Sequence, residues 1–239
     1  MDGDASLSAV ASLIADQHRS EMMLVLLGGG PQSGTALADA AGISRSLASA
    51  HLRKLVAGGL VQVKASGRQR MYTIASHLVA DALEALLLLS PPSEVRSLRQ
   101  AARSKNLRWA RMCYDHLAGV AGVAVTRALA AHELISERDG TFMLTPQGSA
   151  GFAAFGIDIG DLRKRRRPLL RECMDWTEQR HHLAGSIGAA LAAEMLRRDW
   201  LRSQETSRIV TVTAAGHAGL RNWLGIDLAQ LQAAQERRG

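Results

Sequence analysis

The chain is short of cysteine, aromatic residues and long apolar runs. Two cysteines, Cys113 and Cys173, stand in 239 residues. They exclude a disulfide framework and a CxxC redox motif. No apolar stretch approaches the ~20 residues of a membrane span. The four leucines at 86–89 read instead as the buried end of an amphipathic helix. Met1-Asp2-Gly3-Asp4 is acidic and lacks the basic start of a secretory signal, so a cytoplasmic protein without membrane contact is expected. Gly28-Gly29-Gly30 lacks the Lys-Ser/Thr that completes a phosphate loop and reads as a linker. Acidic residues are the minority, 22 against 29 Lys and Arg, and the net charge of +7 suits a polyanionic partner. The hydrophobic share of 47% is that of a globular protein. The length fits two domains.

Breakers divide the chain. Pro91-Pro92 marks the main boundary, giving an N-terminal domain over 6–89 and a C-terminal domain over 93–239. In the first, Leu7, Val10 and Ile14 share one helical face. Asp16 suits an N-cap for a helix over 17–27, with Met23, Leu26 and Leu27 inward. A short Ala-rich helix over 35–41 stops at Gly42. Ser44 caps a helix over 45–57 with Leu47, Leu52 and Leu55 as its buried face. Val61 and Val63, then Tyr72 and Ile74, alternate around Ser66-Gly67 as a β-hairpin. Helical spacing returns over 76–89, with Leu78, Leu83, Leu86 and Leu87.

That order is a winged helix-turn-helix. A short helix braces a second one, whose N-terminal side chains enter the major groove while a basic hairpin reaches the flanking backbone. Ser44, Arg45, Ser46, Ser49, His51, Arg53 and Lys54 are the candidate contacts of the recognition helix. Arg can take guanine O6 and N7 together, and Ser can donate to phosphate or base. Lys64, Arg68 and Arg70 are the candidate contacts of the wing.

The residues Ile14-Ala15-Asp16-Gln17-His18-Arg19, Thr35-Ala36-Leu37-Ala38, Gly42-Ile43-Ser44, Ser49-Ala50-His51-Leu52-Arg53-Lys54-Leu55 and Gly59-Leu60-Val61 resemble the ArsR-type winged-helix repressors. The resemblance covers roughly residues 6–89. It implies a homodimer that binds a double-stranded DNA operator, pairs through the first helix and the helix after the wing, and is released by an inducer. Family members that bind arsenic or cadmium use a cysteine pair before the recognition helix. Here that stretch, 35–41, holds no cysteine. Those that bind zinc use Asp and His on the last helix, where this chain offers only His77, Asp81 and Glu84. The sensing function is therefore sought elsewhere.

The second half repeats itself. His116-Leu117-Ala118-Gly119 recurs as His182-Leu183-Ala184-Gly185, Leu144-Thr145-Pro146-Gln147-Gly148 loosely as Val212-Thr213-Ala214-Ala215-Gly216, and Gly156-Ile157-Asp158 as Gly225-Ile226-Asp227. The copies span about 107–160 and 170–229. Each reads as a long helix, over 107–135 or 170–201, then a hairpin and a Thr-capped helix. Asp139-Gly140 is the turn signal of the first hairpin. Gly119, Gly122, Gly185 and Gly188 would let the long helices cross closely. The fold class is thus mainly α with small β-hairpins (α+β), a winged helix-turn-helix plus two helix–hairpin–helix repeats.

Cys113 and His116 would lie on one helix, Cys173 and His182 on the other, and face-to-face packing of the copies would bring all four together. Thiolate and imidazole suit zinc or another thiophilic metal. An organic effector could instead fit between Trp109, Tyr114, Trp176, His182 and Trp223. The basic run 163–167 reads as a solvated loop, with contact to DNA phosphates as the alternative. The expected function is a sequence-specific, homodimeric repressor that releases DNA when its C-terminal domain senses a small molecule or metal, with no enzyme activity. Two alternatives are a Cys/His enzyme domain anchored by a winged helix and an inducer-free nucleoid-type protein.

Overall fold

The computed structural model describes residues 6–91 and 97–237, so Met1-Asp2-Gly3-Asp4 and Pro92 lie outside it. The described residues form two compact units. One runs to Leu83 and includes Glu205–Arg208, and the other comprises Glu84–Gln204 and the residues from Ile209.

The first unit opens with α1 (Leu7–Ile14), α2 (Gln17–Leu26), β1 (Gln32–Ser33), α3 (Gly34–Ala40) and α4 (Arg45–Ala57). The hairpin β2 (Val61–Ser66) and β3 (Gln69–Ile74) follows, then α5 (His77–Leu89), which begins in this unit and ends in the other. The antiparallel sheet has the order β1-β3-β2. Asp16, Ser33 and Ser44 cap α2, α3 and α4, each side-chain oxygen accepting an early backbone N–H of its helix. Met22, Met23, Leu26, Leu27, Leu37, Leu52 and Leu55 are almost wholly buried and make the core. The face of α1 is different. It has the helical spacing but buries nothing, and Leu7 is 80% exposed. Leu78 and Leu89 on α5 are likewise exposed, so the leucines at 86–89 do not form a buried helix end.

The second unit starts with α6 (Leu98–Trp109), β4 (Arg111–Cys113), β5 (His116–Ala118), α7 (Gly119–Ala131), β6 (Ile135–Arg138), β7 (Thr141–Leu144), α8 (Pro146–Ala154) and α9 (Ile159–Arg163). It repeats with β8 (Arg171–Met174), β9 (His181–Ala184), α10 (Gly185–Arg197), β10 (Leu201–Ser203), β11 (Val210–Val212), α11 (Ala214–Leu224) and α12 (Leu228–Glu236). Each copy is hairpin, helix, hairpin, helix, short helix. Thr145 and Thr213 cap α8 and α11, and Asp158 and Asp227 cap α9 and α12.

The long helices expected over 107–135 and 170–201 are not formed. A hairpin occupies the first part of each, because Gly119 and Gly185 take φ of +80° and +85°, which interrupts a right-handed helix. All three residues of β4 are buried, so the alternation that betrays a half-exposed strand is missing. The glycines also serve a different approach. A Cβ on Gly122 would stand 2.5 Å from the Leu117 carbonyl oxygen, and one on Gly188 would stand 2.5 Å from that of Leu183. Each helix therefore folds tightly onto its own preceding strand. α7 then packs on β9, α10 on β5, and β5 against β9, so each copy covers the other's hairpin.

Candidate functional site

The recognition helix α4 starts at a cap that organises its own end. Ser44 Oγ accepts from Leu47 N at 3.3 Å and lies 3.0 Å from Ser46 Oγ. Arg45, Ser46, Arg53 and Lys54 are exposed, and Ser49 is half-buried. Leu47, expected inside, is 43% exposed beside them. His51 is turned inward and corrects the expectation of a groove contact. Its Nδ1 lies 3.3 Å from Arg19 Nη1 and 3.8 Å from Asp16 Oδ1. Arg19 in turn donates to the carbonyls of Leu13 and Ser12 at 2.5 and 2.7 Å. This buried node ties α4 to α2 and to the end of α1. The backbone N–H of Arg19 and nearby positive charge hold the Asp16 carboxyl below its usual range.

In the wing, Ser66 pairs with Gln69, so Gly67 and Arg68 form the tip, with Gly67 at φ +58°. Lys64 pairs across from Met71 and Arg70 from Ala65. Adjacent register places Lys64 and Arg70 on opposite faces of the hairpin. All three basic residues are exposed.

The second unit holds a buried cluster. Cys113 pairs across its hairpin with His116, and Cys173 pairs with His182. The cysteine and histidine of each copy thus sit on neighbouring strands, correcting the expected placement of each pair on one helix. Packing of β5 on β9 brings both pairs together. One ligand atom from each of Cys113, His116, Cys173 and His182 lies within 4.8 Å of the others. The sulfurs are 3.7 Å apart and the imidazole centroids 5.1 Å apart. Cys113 and His116 are 2% exposed, His182 is fully buried and Cys173 is half-buried. The Cys173 contact and burial push the Cys113 thiol well above its ordinary pKa. Burial opposes the His116 cation, but the Cys113 sulfur and the Asp115 carboxylate outweigh it and raise its pKa to about 9.

Carboxylates back both histidines. Asp115 Oδ1 is 3.2 Å from His116 Nδ1, and Asp175 Oδ2 is 3.6 Å from His182 Nδ1. Arg167 forms an ion pair with Asp115. Asp175 is tied more widely. Its Oδ2 accepts from Arg111 Nη2 at 3.0 Å and from Gly119 N at 2.6 Å. Its Oδ1 accepts from the Thr177 hydroxyl at 2.6 Å. Arg111 and Asp175 are both fully buried, and the Arg111 guanidinium lies 4.7 Å from the Trp176 ring centroid. Opposed to their own burial, these charges hold Asp115 and Asp175 well below the usual carboxylate range.

Sequence reasoning found the four cluster residues but missed this support. The signal was present: Arg111-Met112-Cys113-Tyr114-Asp115 recurs as Arg171-Glu172-Cys173-Met174-Asp175 at an offset of 60. The histidines recur at 66, because six residues, 176–181, are inserted between Asp175 and His182.

The aromatic residues are engaged separately. Trp109 lies in the core, Trp223 stacks on Phe155 at 4.0 Å, and Trp176 faces Arg111. The cavity between α7 and α10, lined by Leu117, Thr126, Leu183 and Leu191 among others, is about 10 Å³. That is room for about one water. The basic run is exposed from Arg163 to Arg166, while Arg165 pairs with Asp161 and Arg167 with Asp115. Among the described residues, no helix is long and apolar enough to cross a membrane.

A braced, capped, basic helix beside a basic hairpin defines a winged helix-turn-helix DNA-binding protein, and residues 14–64 match the model described as a helix-turn-helix domain. Over 223 residues the chain is 34% identical to the uncharacterized HTH-type transcriptional regulator YdfF of Bacillus subtilis (strain 168), covering 93% of this chain and 99% of that one. The chain belongs to this family of HTH-type transcriptional regulators. Solved structures similar to part of it include the homodimeric winged helix-turn-helix domain of Mb0332 from Mycobacterium bovis, a possible ArsR-family regulator. It is 28% identical, covers 37% of this chain and 89% of that one, and has a TM-score of 0.33. Another is the cadmium sensor CMTR from Mycobacterium tuberculosis, 31% identical, covering 38% of this chain and 94% of that one, with a TM-score of 0.32.

Proposed function

We propose that the chain is a cytoplasmic, homodimeric repressor that reads a pseudo-palindromic operator and leaves it when its second unit takes an inducer. The observation that carries the DNA reading is the exposed set Arg45, Ser46, Arg53 and Lys54 at a capped helix, flanked by Lys64, Arg68 and Arg70. Ser44 and Ser49 complete the groove face, with Ser44 engaged in capping. Exposed Leu47 adds an apolar surface suited to a thymine methyl group. Two such helices in a dimer would enter successive major grooves one helical turn apart.

The apolar faces of α1 and α5 support the dimer, since Leu7, Val10, Leu78 and Leu89 stand in water in the single chain. Inducer release would be a population shift toward a dimer whose helices no longer match the groove spacing. Of the two cysteines that the enzyme alternative offers, Cys113 is poorly suited to attack. A nucleophilic cysteine needs a lowered pKa, and burial beside Cys173 does the reverse.

Selection of a binding site from random DNA, then gel-shift titration at fixed salt, tests the reading. Arg45→Ala or Arg53→Ala should weaken the selected site ~10-fold or more relative to random DNA. Lys64→Ala and Arg68→Ala should weaken both alike and flatten the salt dependence. Unchanged affinity in the Arg45 and Arg53 variants would overturn the recognition-helix assignment. Genome-wide occupancy with broad coverage rather than a few peaks would make this a nucleoid-type protein.

A further inference from the structure

We infer that Cys113, His116, Cys173 and His182 form a closed, four-coordinate site for a thiophilic divalent cation, zinc by its ligand chemistry, which clamps the two repeats of the second unit together. The inference stands on that unit alone and does not depend on DNA binding.

The geometry carries it first. A tetrahedral zinc with Zn–S bonds of ~2.3 Å separates two thiolate sulfurs by ~3.8 Å. Cys113 and Cys173 are 3.7 Å apart. A disulfide would need ~2.05 Å and would leave the convergence of two buried histidines without a purpose. All four ligand atoms lie within 4.8 Å of one another, as the corners of one small coordination shell must.

The surroundings are those of ligands rather than of an apolar core. His116 presents Nδ1 to Asp115, while its Nε2 is buried and meets no hydrogen-bond partner. A buried imidazole nitrogen in that position costs free energy unless something binds it. A carboxylate behind each imidazole fixes ring orientation and raises ligand basicity. Asp115 stands in that place at His116, and Asp175 lies 3.6 Å from His182 Nδ1, while Arg167 and Arg111 pair with the two carboxylates.

Charge balance favours the same occupant. Two thiolates and two neutral imidazoles around a dication sum to zero, which a largely buried site favours. The two thiol protons, and the imidazolium proton of His116 where that ring is charged, pass to solvent as the cation enters. Four protein ligands leave no open position, so the site is of the structural kind rather than catalytic. Two ligands come from each repeat, so the ion would bridge the copies where β5 meets β9.

The test uses the full chain purified under reducing conditions without chelator. Elemental analysis should find about one zinc per chain, and the Cys113→Ser, Cys173→Ser double variant should lose it. Titrating chelator-stripped, reduced protein with Co²⁺ should give sulfur-to-cobalt charge-transfer absorption and the intense visible bands of tetrahedral cobalt, saturating at one equivalent. Asp115→Asn keeps the four ligands and should bind cobalt ~10–100-fold more weakly with the same spectrum. This variant and the wild-type spectrum decide the matter even if the double variant fails to fold. Reduced wild-type protein that carries no zinc and gives no tetrahedral cobalt spectrum overturns the inference. So does a Cys113–Cys173 disulfide whose reduced form still ignores cobalt, or metal retained by a folded double variant.

Discussion

Single residues decide how the second unit tolerates acid. Glu194 is buried on α10, and its carboxylate accepts from Arg197 Nε at 2.7 Å and from Arg198 Nε at 2.7 Å. Those two hydrogen bonds lower its pKa from 4.5 to about 2. A depressed carboxylate contributes stability that is complete above its unfolded pKa and is lost as pH falls through the folded one. The Glu194 contribution is therefore present at neutral pH and disappears between about 4.5 and about 2. Denaturant midpoints followed by tryptophan fluorescence should fall across that window in the wild type. In Glu194→Gln the fall should be smaller and the neutral-pH midpoint lower. An identical acid limb in both proteins would remove Glu194 as its source. Much of this scale was invisible in the sequence. Glu194 with Arg197 and Arg198 is an ordinary i, i+3, i+4 set there. Burial, together with the Arg198 donation to the Phe155 carbonyl at 2.8 Å, is what makes it a structural tie.

At the scale of elements, local signals worked where one residue's chemistry suffices. Ser44, Asp16, Thr145 and Thr213 cap helices by accepting from backbone N–H groups, which needs only the side chain and the next few residues. Asp139 and Gly140 take φ of +52° and +74°, as a two-residue hairpin turn demands. The signals failed where both faces of a short strand are covered, as in β4, because buried strands and buried helices look alike in sequence. Gly119 and Gly185 are the pivots that convert hairpin into helix. A Cβ on Gly119 would stand 2.6 Å from the Arg108 carbonyl oxygen, and one on Gly185 would stand 2.7 Å from that of Leu169. Gly42 has φ +65° with nothing near its Cβ position. Gly42→Ala should thus cost ~1–2 kcal/mol of backbone strain alone. Gly119→Ala and Gly185→Ala should cost clearly more, read as larger drops in chemical unfolding midpoint. Equal losses at all three positions would mean that the close approach contributes nothing.

For the whole molecule, the exposed faces of α1 and α5 are the surfaces that the proposed dimer would bury. In the dimer proposed above, Val10→Glu and Leu78→Glu place charges in the interface without touching either core. Light scattering should show roughly half the wild-type mass for such variants, with unchanged far-ultraviolet circular dichroism and much weaker operator binding. A wild-type chain that is already monomeric at the concentrations of DNA binding would sink the dimer. This scale also separates the two kinds of site. The proposed DNA-binding face is a run of neighbours on one helix and one hairpin. The cysteine–histidine cluster draws residues about sixty positions apart from two copies of a motif.

The sequence by itself determined the winged helix-turn-helix and its caps, which are written in short-range spacing, and the existence of a repeat, which is written as self-similarity at a nearly constant offset. It also singled out Cys113, His116, Cys173 and His182, though on the wrong kind of element. Only the tertiary structure decided that His51 belongs to a buried node, that Cys113 faces His116 across a hairpin, and that Arg111 and Asp175 join the copies. Those outcomes depend on which buried surfaces meet when β5 packs on β9 and α2 on α4. Long-range packing chooses among faces that look equivalent in sequence, because a side chain's neighbours across an interface leave no periodicity along its own strand or helix.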